Sequence, residues 1–300
     1  MNNTKKIIPM LVIIALIGCK GLNQKDNFES FKESVSAIQP NISKVSDVAL
    51  LIEKSEAEYI PDLTLNTGII NKYMQEDTLS FLHDKILSSV IMGMYSADIA
   101  YNLVFDQRDI AFESFSAAKI LANELGVGDV YVENLFARYE EEDFSVDSML
   151  IEFDNGLSRF NPEDSDIDRL RIIIGFIIGN YIEKQYQYHS TIQSYKEKDI
   201  SDELKLLLAK EFIYVALNQE EALDAILLSI KKNQYEDDPG YLYEKISTLK
   251  SSYNKVLPLK EKLENLSPEE VFQNPQFDEL FIQIKAMREE IASAVEKEII

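Results

Sequence analysis

The sequence predicts an all-α protein: an irregular multi-helix bundle, or an array of antiparallel helical hairpins with tetratricopeptide-like packing as its most regular form. Three observations lead there. Apolar residues recur at helical spacing along most of the chain. Only 10 Gly and 8 Pro punctuate the 300 residues, and several fall where helices should begin or end. The hydrophobic share of 46% is ordinary for a folded chain and large enough for a core. The Asn155-Gly156 pair is a turn signal, but no alternating strand-like runs flank it.

In chain order, Phe28, Phe31 and Val35 form one stripe of a first helix that ends before Pro40. A second helix spans 43–58 and stops near Pro61, and a short third spans 64–73. Thr78 can cap a long segment from Leu79 to about Phe105. Asp109 to Leu125 follows, with Gly126 as its C-cap. Helices over 129–140 and 145–154 come next, the latter stopped at Asn155-Gly156. Pro162 and two acids open a helix to about Tyr188. Ser201 begins another to Leu217, and helices over 219–232, 240–253 and 258–266 follow. Ser267-Pro268-Glu269-Glu270 is a helix start with Ser267 as cap, and the last helix runs over 275–298. Most connections are short, and short connections favour antiparallel neighbours.

Composition excludes several functions. The chain carries 30 Lys+Arg against 52 Asp+Glu, a net charge of -22, which argues against a nucleic-acid partner because phosphates call for basic side chains. One Cys allows no internal disulfide and no four-cysteine metal site, and two His allow no three-histidine site. Neither a Gly-x-Ser-x-Gly elbow nor a phosphate-binding glycine loop is present, and no cofactor is implied.

The amino end, MNNTKKIIPMLVIIALIGC, joins Lys5 and Lys6 to an apolar stretch and a small residue. That is the layout of an export signal. Its apolar stretch of about 11 residues falls short of the roughly 20 that a spanning helix needs. Leu16-Ile17-Gly18-Cys19 resembles the lipobox of bacterial lipoprotein precursors. The resemblance implies cleavage after Gly18 and diacylglycerol on the thiol of Cys19. More than one acyl chain, each contributing roughly 0.8 kcal/mol per buried CH2, would anchor the protein without a transmembrane helix. The domains are then a signal peptide (1–18), a lipidated cysteine and tether (19–27), and a helical body (28–300) of one domain or two closely packed subdomains. Lys20 after the cysteine, in place of Asp, favours the outer membrane in the sorting rule of that class. Processing removes Lys5 and Lys6 but no acid, shifting the net charge from -22 to -24. An anionic body is repelled by anionic lipid and should stand off the surface.

The densest segment is Ser88 to Arg108. From Val90 to Phe105 it is nearly all apolar or small, interrupted by Ser96, Asp98 and Asn102 besides its tyrosines. Asp98 and Asn102, four apart, share a face, with Tyr95 three residues before Asp98 and Tyr101 three after. A carboxylate in such a helix needs a partner or an upward pKa shift. The four residues form a ligand-binding strip, a general acid lined by tyrosines, or a structural network in which Asp98 accepts from tyrosines or caps a neighbouring helix.

Met94, Tyr95, Ser96, Ala97 and Asp98, then Tyr101, and later Leu121, Ala122, Glu124, Leu125 and Gly126, form a pattern. It resembles a family of all-helical lipoproteins seen in Bacteroidetes. The resemblance implies an exported helical body with no assigned activity, so it carries over no catalytic residues.

Gly175 and Gly179 form a GxxxG inside an apolar run too short to span a bilayer, so they predict a close helix crossing. Asp164, Asp166 and Asp168 resemble the start of a calcium loop. However, Arg169 stands where that loop needs Gly and Gly175 where it needs Glu, so the acids read as a helix start. His83 and His189 lack a metalloprotease context and read as surface or helix-end residues. No acid pair can be nominated as catalytic among 52 acids.

Three functions remain. The first is a non-catalytic interaction or scaffold module for an envelope protein or peptide, which predicts an exposed apolar patch above roughly 600 Å2. The second is a binder of an oligosaccharide or cationic solute, with Tyr95, Asp98 or Tyr101 on a pocket wall. The third is an envelope-acting hydrolase with two acids, or an acid and a histidine, across a cleft.

Overall fold

A computed structural model describes residues 28–30, 32–33, 36, 63–64, 84–128, 155, 166–233, 240–262 and 265–297. Cys19, His83 and the helices expected over 43–58, 129–140 and 145–154 lie outside these residues, as does most of 64–73. Among the described residues the protein is all-helical, with no strand. No described helix is long and apolar enough to cross a membrane.

The helices are α1 (Lys85–Val104), α2 (Arg108–Glu124), α3 (Ile167–Glu197), α4 (Asp202–Leu217), α5 (Glu220–Asn233), α6 (Gly240–Val256), α7 (Pro258–Glu261), α8 (Pro268–Phe272) and α9 (Pro275–Lys297). Their ends follow local chemistry. Helix α1 starts later than a Thr78 cap would place it, because the Asp84 carboxylate accepts from the Ile86 and Leu87 amides, both at 3.0 Å. Helix α2 ends in a Schellman turn: Gly126 takes φ +72°, and the Gly126 and Val127 amides donate to Asn123 and Ala122. Asp166, not Pro162, caps α3 by accepting from the Arg169 amide, and Asp168 lies in the first turn. Helix α3 runs nine residues past Tyr188 to Glu197 because Ile192 and Tyr195 keep its buried face going. Ser201 caps α4, and Ser267 and Glu270 form a reciprocal capping box at α8.

Every residue from Ser88 to Leu103 is buried, so α1 has no solvent face there. It packs on α2, whose inward side is built of Ala111, Ser114, Phe115, Ala118, Leu121 and Ala122. Its most extensive partner is α3. Ser89 meets Gly175, Val90 meets Gly179, and Gly93 meets Phe176 and Asn180. Numbers rise together along both helices, so α1 and α3 run parallel. Short turns predict antiparallel neighbours, and this central pair departs from that because the chain between α2 and α3 is long. Helix α9 crosses back antiparallel on α3, with Arg288 at Glu183 and Asp278 at Gln193 and Lys196. Helix α6 is antiparallel to both α9 (Lys245–Glu290, Lys255–Glu279) and α5 (Lys250–Asp224, with Tyr253 at Gln219 just before α5). The Tyr253 hydroxyl on α6 pins the α4–α5 turn, accepting from the Gln219 amide and donating to the Leu217 carbonyl. One continuous hydrophobic cluster joins these helices.

Candidate functional site

The apolar surroundings of α1 leave Asp98 without water, so its partners must come from neighbouring helices. Helix α3 supplies them. Glu183 and Gln187, four apart, stand on one face and are buried like Asp98. Gln187 donates its side-chain amide to Asp98 Oδ1 at 2.9 Å. The Asp98 carboxyl is close enough to Glu183 to act on its titration. From α9, Arg288 donates its Nε to both Glu183 oxygens at 2.8 Å, and one terminal nitrogen to the Leu63 carbonyl at 2.8 Å. Its guanidinium lies 4.2 Å from the centre of the Tyr186 ring. The cluster joins α1, α3, α9 and the chain at Leu63.

Burial pushes the Glu183 pKa up to about 7, against the opposing attraction and hydrogen bonds of Arg288 and the smaller effect of Asp98. Burial first, then the Asp98 and Glu183 carboxyls, hold the Tyr95 hydroxyl well above the usual phenol range. Tyr95 therefore borders the carboxyl pair as a neutral group.

Of the four residues singled out by sequence, Tyr95 and Asp98 belong to this cluster. Asn102 sits beside it, donating to the Asp98 backbone carbonyl at 2.8 Å and to Thr64 Oγ1 at 3.0 Å. Tyr101 is buried, with Phe105 edge-on to its ring at 4.7 Å between centroids. Sequence reasoning missed Glu183, Gln187 and Arg288. A signal existed for the first two: Asn180, Glu183, Gln187 and Thr191 recur every three or four residues in a helix otherwise rich in Ile, Phe and Tyr. Arg288 carries no such mark, because α9 has the pattern of an ordinary surface helix.

Gly175 and Gly179 line the α1–α3 crossing. A Cβ at Gly179 would stand 1.8 Å from the Val90 carbonyl oxygen, and one at Gly175 would stand 1.8 Å from Ser89 Oγ. Gly93 completes the contact from α1, where a Cβ would stand 2.0 Å from the Phe176 carbonyl oxygen.

His189 corrects the expectation of a surface or helix-end residue. It is buried, its ring centre lies 4.8 Å from that of Phe277 and 5.8 Å from that of Phe281, and neither ring nitrogen has a hydrogen-bond partner. Desolvation lowers its pKa to about 3, so it is neutral at pH 7. Helix α3 packs against α9 there, and amphipathic spacing alone does not reveal that its second face is also covered. Among the described residues no group of three His, Cys, Asp or Glu side chains could hold a metal ion.

The cluster can hold a proton and a charge pair inside the bundle, and can tie Leu63 to three helices. Comparison with protein-family models, with curated proteins and with solved structures finds no match for this chain.

Proposed function

We propose that this chain is an exported, lipid-anchored envelope protein of the Bacteroidetes lipoprotein type, with a non-catalytic helical body that binds a protein or peptide partner. Cys19 is its lipid attachment point, and Lys20 favours the outer membrane. The observation that carries the interaction reading is the outer face of α4. Leu204, Leu207 and Tyr214 share it at helical spacing and are 43%, 66% and 50% exposed. On the opposite side of the same helix Ala209, Phe212, Ile213 and Ala216 enter the core.

The non-catalytic reading is supported by the enclosure of the carboxyl pair. Asp98 and Glu183 are both fully buried, whereas a glycosidase needs its two carboxyls facing a cleft with substrate between them. The burial of Tyr95, Asp98 and Asn102 likewise weighs against the small-ligand reading. The parallel α1–α3 pair supports an irregular bundle over a tetratricopeptide-like array.

A pull-down from envelope extract compares the native chain with the double variant Leu207→Lys and Tyr214→Lys. Exposed substitutions should change stability by no more than about 0.5 kcal/mol. A partner retained by the native chain and lost by the variant is the expected result, and equal retention by both would refute the α4 surface. For the anchor, Cys19→Ala should abolish lipid labelling and membrane fractionation.

A further inference from the structure

An imidazolium carries a charge and two N–H donors, so it needs an acceptor or water on both sides. The α3–α9 seam gives His189 neither. Its ring is fully buried, the Phe277 and Phe281 rings of α9 lie 4.8 Å and 5.8 Å from it between centres, and neither nitrogen has a hydrogen-bond partner. The charged groups of the surrounding helices are held elsewhere. Between α3 and α9, Glu183 accepts from Arg288, and Asp278 accepts from Gln193 and Lys196. On α1, Asp98 accepts from Gln187. Helices α4 and α5, which also pack on α3, carry Asp202 paired with Lys205 and Asp224 paired with Lys250. Helix α6 meets α9 through Lys245–Glu290 and Lys255–Glu279. A proton on His189 therefore meets no acceptor while α9 stays in place, and a buried charge without a partner is costly.

Parting α9 from α3 is the shortest way to bring water to the ring. Helix α9 is the last described helix, and its ion pairs with α6 are partly exposed, where such pairs hold weakly. We propose that α9 is an acid-released strap: proton uptake by His189 parts α9 from α3 and uncovers Phe277, Phe281 and Tyr186, while α1 and α3 stay packed through their glycines. The direction follows from linkage. The pKa of His189 in the closed seam, about 3, lies below its ordinary 6.5. Its contribution to closure is present above 6.5 and is lost as pH falls towards 3. Glu183 acts in the opposite sense, because its pKa of about 7 is raised above 4.5, and comparing chains that both retain it removes its share.

The test uses the full chain in detergent and reads amide hydrogen exchange helix by helix, for the native chain and for His189→Phe. The ratio of their α9 opening constants, native over variant, should rise on the order of 20-fold between about pH 7 and pH 5. A ratio constant with pH would overturn the proposal. In the native chain at about pH 5, α9 should open at least roughly tenfold more readily than α1. Equal opening of α9 and α1 would show that the bundle yields as a whole, and would overturn the strap. If His189→Phe does not fold, proton NMR of a His83→Gln chain decides. Its remaining imidazole should show no protonation shift between about pH 8 and pH 5, and a shift centred near the ordinary value of about 6.5 would overturn the proposal.

Discussion

Helix α3 buries its two sides by opposite means. Towards α1 it presents Gly175 and Gly179, so close to Ser89 and Val90 that a methyl group would collide with them. Towards α9 it presents Glu183, Tyr186 and His189, which meet Arg288, Phe281 and Phe277. The first seam is backbone against backbone, and its tolerance is set by volume. The second is built from long side chains that can re-pack, so its tolerance is set by charge and hydrogen bonding. One helix therefore holds a joint sensitive to size and another sensitive to protonation.

The largest test of that contrast is Arg288→Met. It keeps much of the volume but removes the guanidinium from Glu183 and the donor from the Leu63 carbonyl. Breaking a buried pair from one side costs about 3–5 kcal/mol. We expect about 3 kcal/mol by urea unfolding, at the lower end, because Glu183 can take up a proton. A loss below about 1 kcal/mol would show that the α9 seam does not depend on its charge.

Next comes the glycine seam. Gly179→Ala and Gly93→Ala each drive a methyl into a carbonyl that belongs to a helix backbone and cannot step aside. Overpacking of this kind costs about 1–3 kcal/mol, and we expect about 2 kcal/mol after alanine's better helix propensity of about 1 kcal/mol is counted. Gly175→Ala should cost less, about 1 kcal/mol, because its nearest obstacle is the Ser89 hydroxyl, which can change rotamer. Equal melting losses at all three positions would remove the distinction between backbone and side-chain obstacles.

The smallest effect should be a gain. His189→Phe replaces an unpartnered imidazole between Phe277 and Phe281 with a ring that needs no hydrogen bond. We expect about 1 kcal/mol of added stability at pH 7. The variant should also be less sensitive to acid. The folded pKa of His189 is about 3, below its ordinary 6.5, so its contribution is present above 6.5 and is lost as pH falls towards 3. An acid unfolding profile that the variant leaves unchanged would contradict the buried neutral histidine.

The glycines and Asp98 stood out in the sequence because each breaks a local rule: glycine inside a helix, a carboxylate inside an apolar run. Arg288 broke none. A charged residue on an amphipathic helix is ordinary until the helix is seen lying across a carboxyl pair. Glu183 and Gln187 were hidden differently, since their apolar surroundings drew attention to the hydrophobic run and not to the polar stripe within it.

What the sequence determined by itself was local. Helical periodicity set the class, and Ser201, Gly126 and the Ser267–Glu270 pair set helix ends through hydrogen bonds spanning a few residues. Tertiary structure decided what spacing cannot encode. It set the parallel course of α1 and α3, the burial of His189 and the meeting of Glu183 with Arg288 across 105 residues. The physical reason is range. A cap or a turn closes on its own neighbours, whereas a buried charge is placed by whichever helix arrives to cover it.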